Sequence, residues 1–152
     1  LRVLAEARAE RRIAVIPDVS DFGDARRRKR QAQLGRDAAH AADLVIFVGE
    51  YADHGRHGAL EAGATPGRAL AFPLLEDAAA LLRTTLRPGD LVLLKGRTGD
   101  HLSRLYFAQL GGIRCWRASC EKRITCDVCP ELGIATEDRG RAVILPPEWT
   151  AQ

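Results

Sequence analysis

Leu44-Val-Ile-Phe-Val48, closed by Gly49, is an unbroken run of apolar residues. A strand with one wet face alternates apolar and polar positions. An uninterrupted run instead suits a strand covered on both faces, as in a parallel sheet between helical layers. The flanking sequence agrees. Upstream, Arg12-Ile-Ala-Val-Ile16 is a second strand candidate, ended by Pro17-Asp18, and Asp24 is placed to cap a helix running to about Ala42. The inner face of that helix reads Gln31, Leu34, Gly35, Ala38 and Ala42, small enough in part to lie close on a sheet. Its outer face carries Arg26, Arg27, Arg28, Lys29 and Arg30. Downstream, residues 50–63 read as a loop and short helix, Arg68–Phe72 as a weaker strand, and Leu75–Leu86 as a helix. Arg87-Pro-Gly-Asp90 is a turn, Leu91–Leu94 the next strand, Lys95–Asp100 a loop, and His101–Leu110 a helix. Leu1–Glu10 reads as the end of a helix. This alternation over residues 12–110 predicts an α/β class: a Rossmann-like, mostly parallel sheet with helices on both faces.

The 152 residues suffice for one such domain, here 1–110, plus an appendage at 111–135 and a tail at 136–152 that packs back on it. Net charge is only +3, so nothing drives the chain toward nucleic acid or an anionic membrane. No segment approaches the roughly 20 apolar residues of a spanning helix. The absence of methionine and the start at Leu1 give the chain the look of a piece of a longer polypeptide.

All four cysteines fall in the appendage, as Cys115-x4-Cys120-x5-Cys126-x2-Cys129. Thiols this close in sequence can close a tetrahedral zinc site within one loop, with Trp116 and Ile124 as a small apolar core. Four thiolates leave no open coordination position, so such a site is structural. Clustering also suits a reducing cytoplasm better than a secreted disulfide framework. Disulfides, free thiols or an iron–sulfur centre are the alternatives.

In open parallel sheets ligands sit beyond the carboxyl ends of the strands. The loops there are 17–24, 49–57 and 95–100. The last is the richest, with Lys95, Gly96, Arg97 and Thr98: glycine allows close backbone approach and the cations can hold a carboxylate or phosphate. An ordinary exposed turn is the plain alternative. No Gly-x4-Gly-Lys-[Ser/Thr] phosphate loop and no Gly-x-Gly-x-x-Gly is present. His54 and His57 read as solvated loop residues, and the Arg26–Arg30 run as a solvated helix face without interleaved aromatics. Asp18, Asp21 and Asp24 can cluster in one loop, where capping accounts for at least one.

Taken in order, Ile13-Ala-Val-Ile-Pro-Asp18, Phe22-Gly23, a helix containing Gly35, Leu44–Gly49, and Gly89-Asp-Leu-Val-Leu-Leu-Lys-Gly-Arg97 resemble the C-terminal domain of the Mur ligases. The most similar branch adds D-alanyl-D-alanine to a muramoyl tripeptide. Four features depart from that pattern. Pro17 replaces the usual glycine, Gln31 stands where a histidine often sits, the turn reads Lys-Gly-Arg-Thr rather than Lys-Gly-Ser-Arg, and the cysteine module is additional.

The resemblance implies a lid domain of an ATP-dependent amide ligase, working through an acyl phosphate in cell-wall peptidoglycan precursor synthesis. It implies that Lys95, Gly96, Arg97 and Thr98 orient an amino acid or dipeptide, and that Asp18 lies on the nucleotide side. ATP and magnesium would be held mainly by N-terminal and central domains of the same polypeptide, so this piece alone should be inactive. The other functional readings are a non-catalytic zinc-containing module for nucleic acid or a protein partner, and a Mur-like ligase with a non-peptidoglycan acceptor.

Overall fold

The computed structural model describes residues 1–19, 23–118, 120 and 124–135. Asp21, Phe22 and the expected tail at 136–152 lie outside these. The order is α1 (Arg2–Glu6), β1 (Arg11–Pro17), α2 (Asp24–Ala41), β2 (Leu44–Val48), α3 (Ala52–Glu61), β3 (Ala69–Phe72), α4 (Leu75–Thr85), β4 (Asp90–Leu94) and α5 (Ser103–Leu110). A 3₁₀ turn at Thr98–Asp100 precedes α5, and a second follows at Cys126–Val128.

The four strands form one parallel sheet in the order β3-β2-β1-β4. Every residue of β2 is buried. Its period of two divides the core cleanly. Leu44, Ile46 and Val48 join Ile13, Val15, Ala78, Leu82, Leu105 and Ala108 on one face, under α4 and α5. Val45 and Phe47 join Ala14, Ile16, Ala38, Ala42, Ala52 and Ala59 on the other, under α2 and α3. Burial on both faces is why these strands lack polar alternation.

The helix α2 buries Gln31, Gly35 and Ala38 and half-buries Leu34, as its spacing predicts. It crosses α3 at backbone contact distance. A Cβ on Gly35 would lie 2.0 Å from the Gly55 carbonyl oxygen, and one on Gly58 would lie 2.0 Å from that of Ala32. Three local expectations are corrected. Gly23, not Asp24, is the N-cap of α2, and no side-chain capping bond is made. His54 and His57 sit within α3, where the chain stays helical for ten residues; His57 Nε2 pairs with Glu61 Oε1 at 3.2 Å and His54 stacks on Tyr51. Arg27 is half-buried rather than outward, because α2 starts beside the sheet's carboxyl end.

The amino ends of the strands are tied by ion pairs. Arg11 Nε donates to Asp90 Oδ1 at 2.9 Å, and Arg11 Nη2 donates to the Thr85 carbonyl at 2.7 Å. The backbone N–H of Arg12 donates to Asp43 Oδ2 at 2.8 Å. Both carboxyls are held below their ordinary value, Asp90 chiefly by the Arg11 side-chain bond and Asp43 chiefly by the Arg12 backbone bond.

Candidate functional site

The order β3-β2-β1-β4 places a topological switch between β1 and β4. The connection from β1 leads away to β2 and β3, while β4 lies on the opposite side of β1. The loops beyond the two carboxyl ends therefore part, and a crevice opens where they diverge. One side is Pro17-Asp18-Val19. The other is Lys95-Gly96-Arg97, with Lys95 N–H still donating to the Val15 carbonyl at 3.0 Å. A cavity of about 180 Å³ between them is lined by Asp18, Lys95, Gly96, Arg97 and Asp100. A larger one, about 350 Å³, extends from Asp18 and Arg97 to Arg27, Gly49, Leu74 and Trp116. Thr98 lines a third cavity of about 350 Å³, with Arg97, Ser103 and Cys126. Thus Asp18, Lys95, Gly96 and Arg97 share one crevice, and Thr98 turns toward its neighbour.

Asp18 is firmly fixed. Its two carboxylate oxygens accept the backbone N–H groups of Glu50 at 2.7 Å and Tyr51 at 2.9 Å, at the entry to α3. Burial raises its pKa, and the two N–H groups oppose that rise in part. Gly49 makes the contact possible. It has φ +126°, and a Cβ there would fall 2.4 Å from Asp18 Oδ2.

Gln31 holds the same loop from beneath. Its side chain is fully buried; Nε2 donates to the Pro17 carbonyl at 3.2 Å, and Oε1 accepts from Val19 N–H at 3.0 Å. Sequence reading placed Gln31 on the inner face of α2 without giving it this task. A polar residue among small apolar ones was the available signal.

Across the crevice, Asp100 shapes the cationic turn. It accepts from Arg97 N–H at 2.6 Å and pairs with Arg97 Nη2 at 2.8 Å. The next residue, His101, has φ +54°, a strained conformation for a side chain of this size. His101 is buried, and its pKa is lowered by burial first and by Arg104 second. Among the described residues its Nε2 has no hydrogen-bond partner.

The cysteine segment folds against this corner. Arg104 of α5 is buried, 2% exposed, yet charged. Its Nη1 donates to the Arg117 carbonyl at 2.7 Å and its Nε to Cys126 Sγ at 3.4 Å, while His101 Nδ1 lies 3.3 Å from the same sulfur. Backbone bonds close the loop: Arg114 and Cys115 N–H both donate to Leu132 O, and Leu132 N–H donates to Cys129 O. Cys115 and Cys126 are buried and Cys120 and Cys129 half-buried, and among the described residues no disulfide joins them. Among the described residues no three His, Cys, Asp or Glu side chains converge as a metal site. The Cys126 sulfur thus accepts a guanidinium N–H and lies beside an imidazole, contacts that a metal-bound thiolate can also carry. Trp116 packs on the α4–α5 face of the core and lines the crevice, rather than filling a separate knuckle.

The family model for the Mur ligase glutamate ligase domain matches residues 1–98. No curated protein matches the chain. Two crystal structures of MurF from Acinetobacter baumannii share the fold. One has TM-score 0.60 and 25% identity over 72% of this chain; the other has TM-score 0.55 and 24% identity over the same share. The chain spans about a quarter of their length, 24% and 23%.

Proposed function

Because the chain belongs to the Mur ligase family, through the C-terminal domain of those enzymes, we propose that it is the lid domain of an ATP-dependent ligase. That enzyme joins an amine substrate to a carboxylate in peptidoglycan precursor synthesis, in the cytoplasm. The observation that carries this reading is the convergence of Asp18, Lys95, Gly96 and Arg97 on one crevice at the β1/β4 switch. An amino acid or dipeptide presents two opposite charges at short separation. The Lys95 ammonium and Arg97 guanidinium suit its carboxylate, and Asp18 stands at the same rim on the nucleotide side. Thr98 extends the polar edge. Gln31 and Asp100 position these groups through the loops they fasten.

ATP and magnesium, held mainly by other domains of the polypeptide, supply the activated carboxylate. This domain's task is to hold the amine in line with that carbonyl and to exclude water on closing. No described helix is long and apolar enough to cross a membrane.

The test is ATP-dependent amide formation by the polypeptide that carries this domain, with phosphate release followed against a panel of amino acids and dipeptides. Replacing Lys95 and Arg97 together should raise the Michaelis constant for the amine or abolish turnover. Unchanged kinetics would remove the turn from the site.

For the cysteine segment the proposal is structural zinc on Cys115, Cys120, Cys126 and Cys129, resting on spacing. Metal analysis of the purified chain should find one zinc. A metal-free chain with undiminished thermal stability would remove the proposal.

A further inference from the structure

Building on the ligase reading, we propose that the cysteine segment is a wall of the amine-binding crevice, with Arg117 reading a carboxylate and Trp116 facing an apolar side group. The segment lies beyond residues 1–98, which the family model covers. It is nevertheless built into the site. Trp116 and Arg117 line the 350 Å³ cavity that Asp18, Arg27 and Arg97 also line. Nine residues on, Thr125 and Cys126 line the cavity on the other flank of the 95–100 turn, beside Thr98. The segment therefore brackets that turn from both sides.

A buried charge fastens it there. Desolvating a guanidinium is costly unless its donors are used. Arg104 spends donors on both limbs of the segment, the Arg117 carbonyl and the Cys126 sulfur. That is more anchoring than a loosely tethered appendage needs.

The lining gives the ligand's chemistry. Among the described residues the lining counts three arginines, Arg27, Arg97 and Arg117, against two aspartates, Asp18 and Asp100. The rest is largely apolar and includes Leu74, which is 54% exposed at the rim. A small amine bearing one carboxylate and an apolar side group satisfies both features. A diamine lacking a carboxylate does not.

The 152-residue chain contains two tryptophans, Trp116 and Trp149. In a Trp149→Phe background Trp116 is the sole tryptophan, excited apart from the two tyrosines at the red edge of their absorption. Titration with D-alanyl-D-alanine should change its emission, and calorimetry should show the C-terminal amide of that dipeptide binding about tenfold more weakly. Arg117→Ala should weaken the dipeptide about tenfold and leave the amide unchanged. Because Arg104 grips the Arg117 carbonyl and not its side chain, the variant keeps the anchor; circular dichroism and the thermal midpoint check that it folds.

One result overturns this inference alone: Lys95→Ala/Arg97→Ala abolishes dipeptide binding while Arg117→Ala and Trp116→Leu leave it unaltered. If the unsubstituted chain binds neither dipeptide nor amide, the ligase reading of the crevice falls, and this inference with it.

Discussion

The two ends of the sheet use the same residue types for opposite purposes. At the amino ends, Arg11 meets Asp90 and Arg12 meets Asp43, with each carboxylate also taking a backbone N–H, from Arg87 and Arg12 respectively. The Asp90 side chain is 4% exposed. At the carboxyl ends, Asp18, Lys95 and Arg97 stand around cavities wide enough for a small molecule. Charges at the first end meet one another and close the structure. Those at the second end are held by backbone and by Asp100 so that they face open space. The difference follows from topology. The β1/β4 switch parts the loops at one end only, while short turns such as 87–90 draw the other end together.

If this contrast is right, substitutions at the two ends separate stability from binding. The largest effect should come from Asp90→Ala. It leaves the Arg11 guanidinium without its carboxylate in a largely enclosed site and should cost about 3 kcal/mol in chemical denaturation. Affinity for the amine should not change. Next, Lys95→Ala/Arg97→Ala should lower amine affinity by about 100-fold, two charge-assisted bonds being lost, with little change in the denaturation midpoint. A large loss of stability here, or of binding at Asp90, would break the contrast.

Gln31→Leu links the two properties. Val19 N–H and the Pro17 carbonyl lose their partner, which should cost about 2 kcal/mol, and the freed Asp18 loop should weaken binding several-fold. Calorimetry and denaturation on one sample would show whether both change together.

The smallest effect concerns pH. Asp43 and Asp90 have folded pKa values below the ordinary 3.8. The unfolded chain therefore binds more protons in that range. The stability these groups supply is complete above about pH 4 and is lost as pH falls through their depressed values. Asp18, raised by burial, acts in the opposite sense: its contribution declines as pH rises through its folded value. Asp43→Asn should flatten the acid limb of a stability–pH curve, whereas Asp18→Asn should not.

Much of the fold could be read in the chain. The run Leu44–Val48 signalled a doubly covered strand, and the alternation around it gave a parallel sheet, because burial on two faces forbids polar alternation. The cationic turn 95–98 was legible as a loop at a strand's carboxyl end, the place where such sheets bind. Arg27 was not legible as a crevice residue: in an arginine run every side chain looks alike until the start of the helix is placed. The roles of Gln31 and Arg104 were hidden for a related reason. Each is a polar side chain whose partners lie on other elements, and hydrogen bonds between elements leave no local period.

By itself the sequence determined the elements, their parallel association, and the residue types at the rim, since these follow from short-range periodicity and burial. Only the tertiary structure decided that β1 and β4 are neighbours and that Asp18 faces Arg97 across a crevice. It also decided that Trp116 and Arg117 of the cysteine segment line that crevice. Those facts depend on strand order and on the anchoring of Arg104, which bring together residues that no spacing along the chain connects.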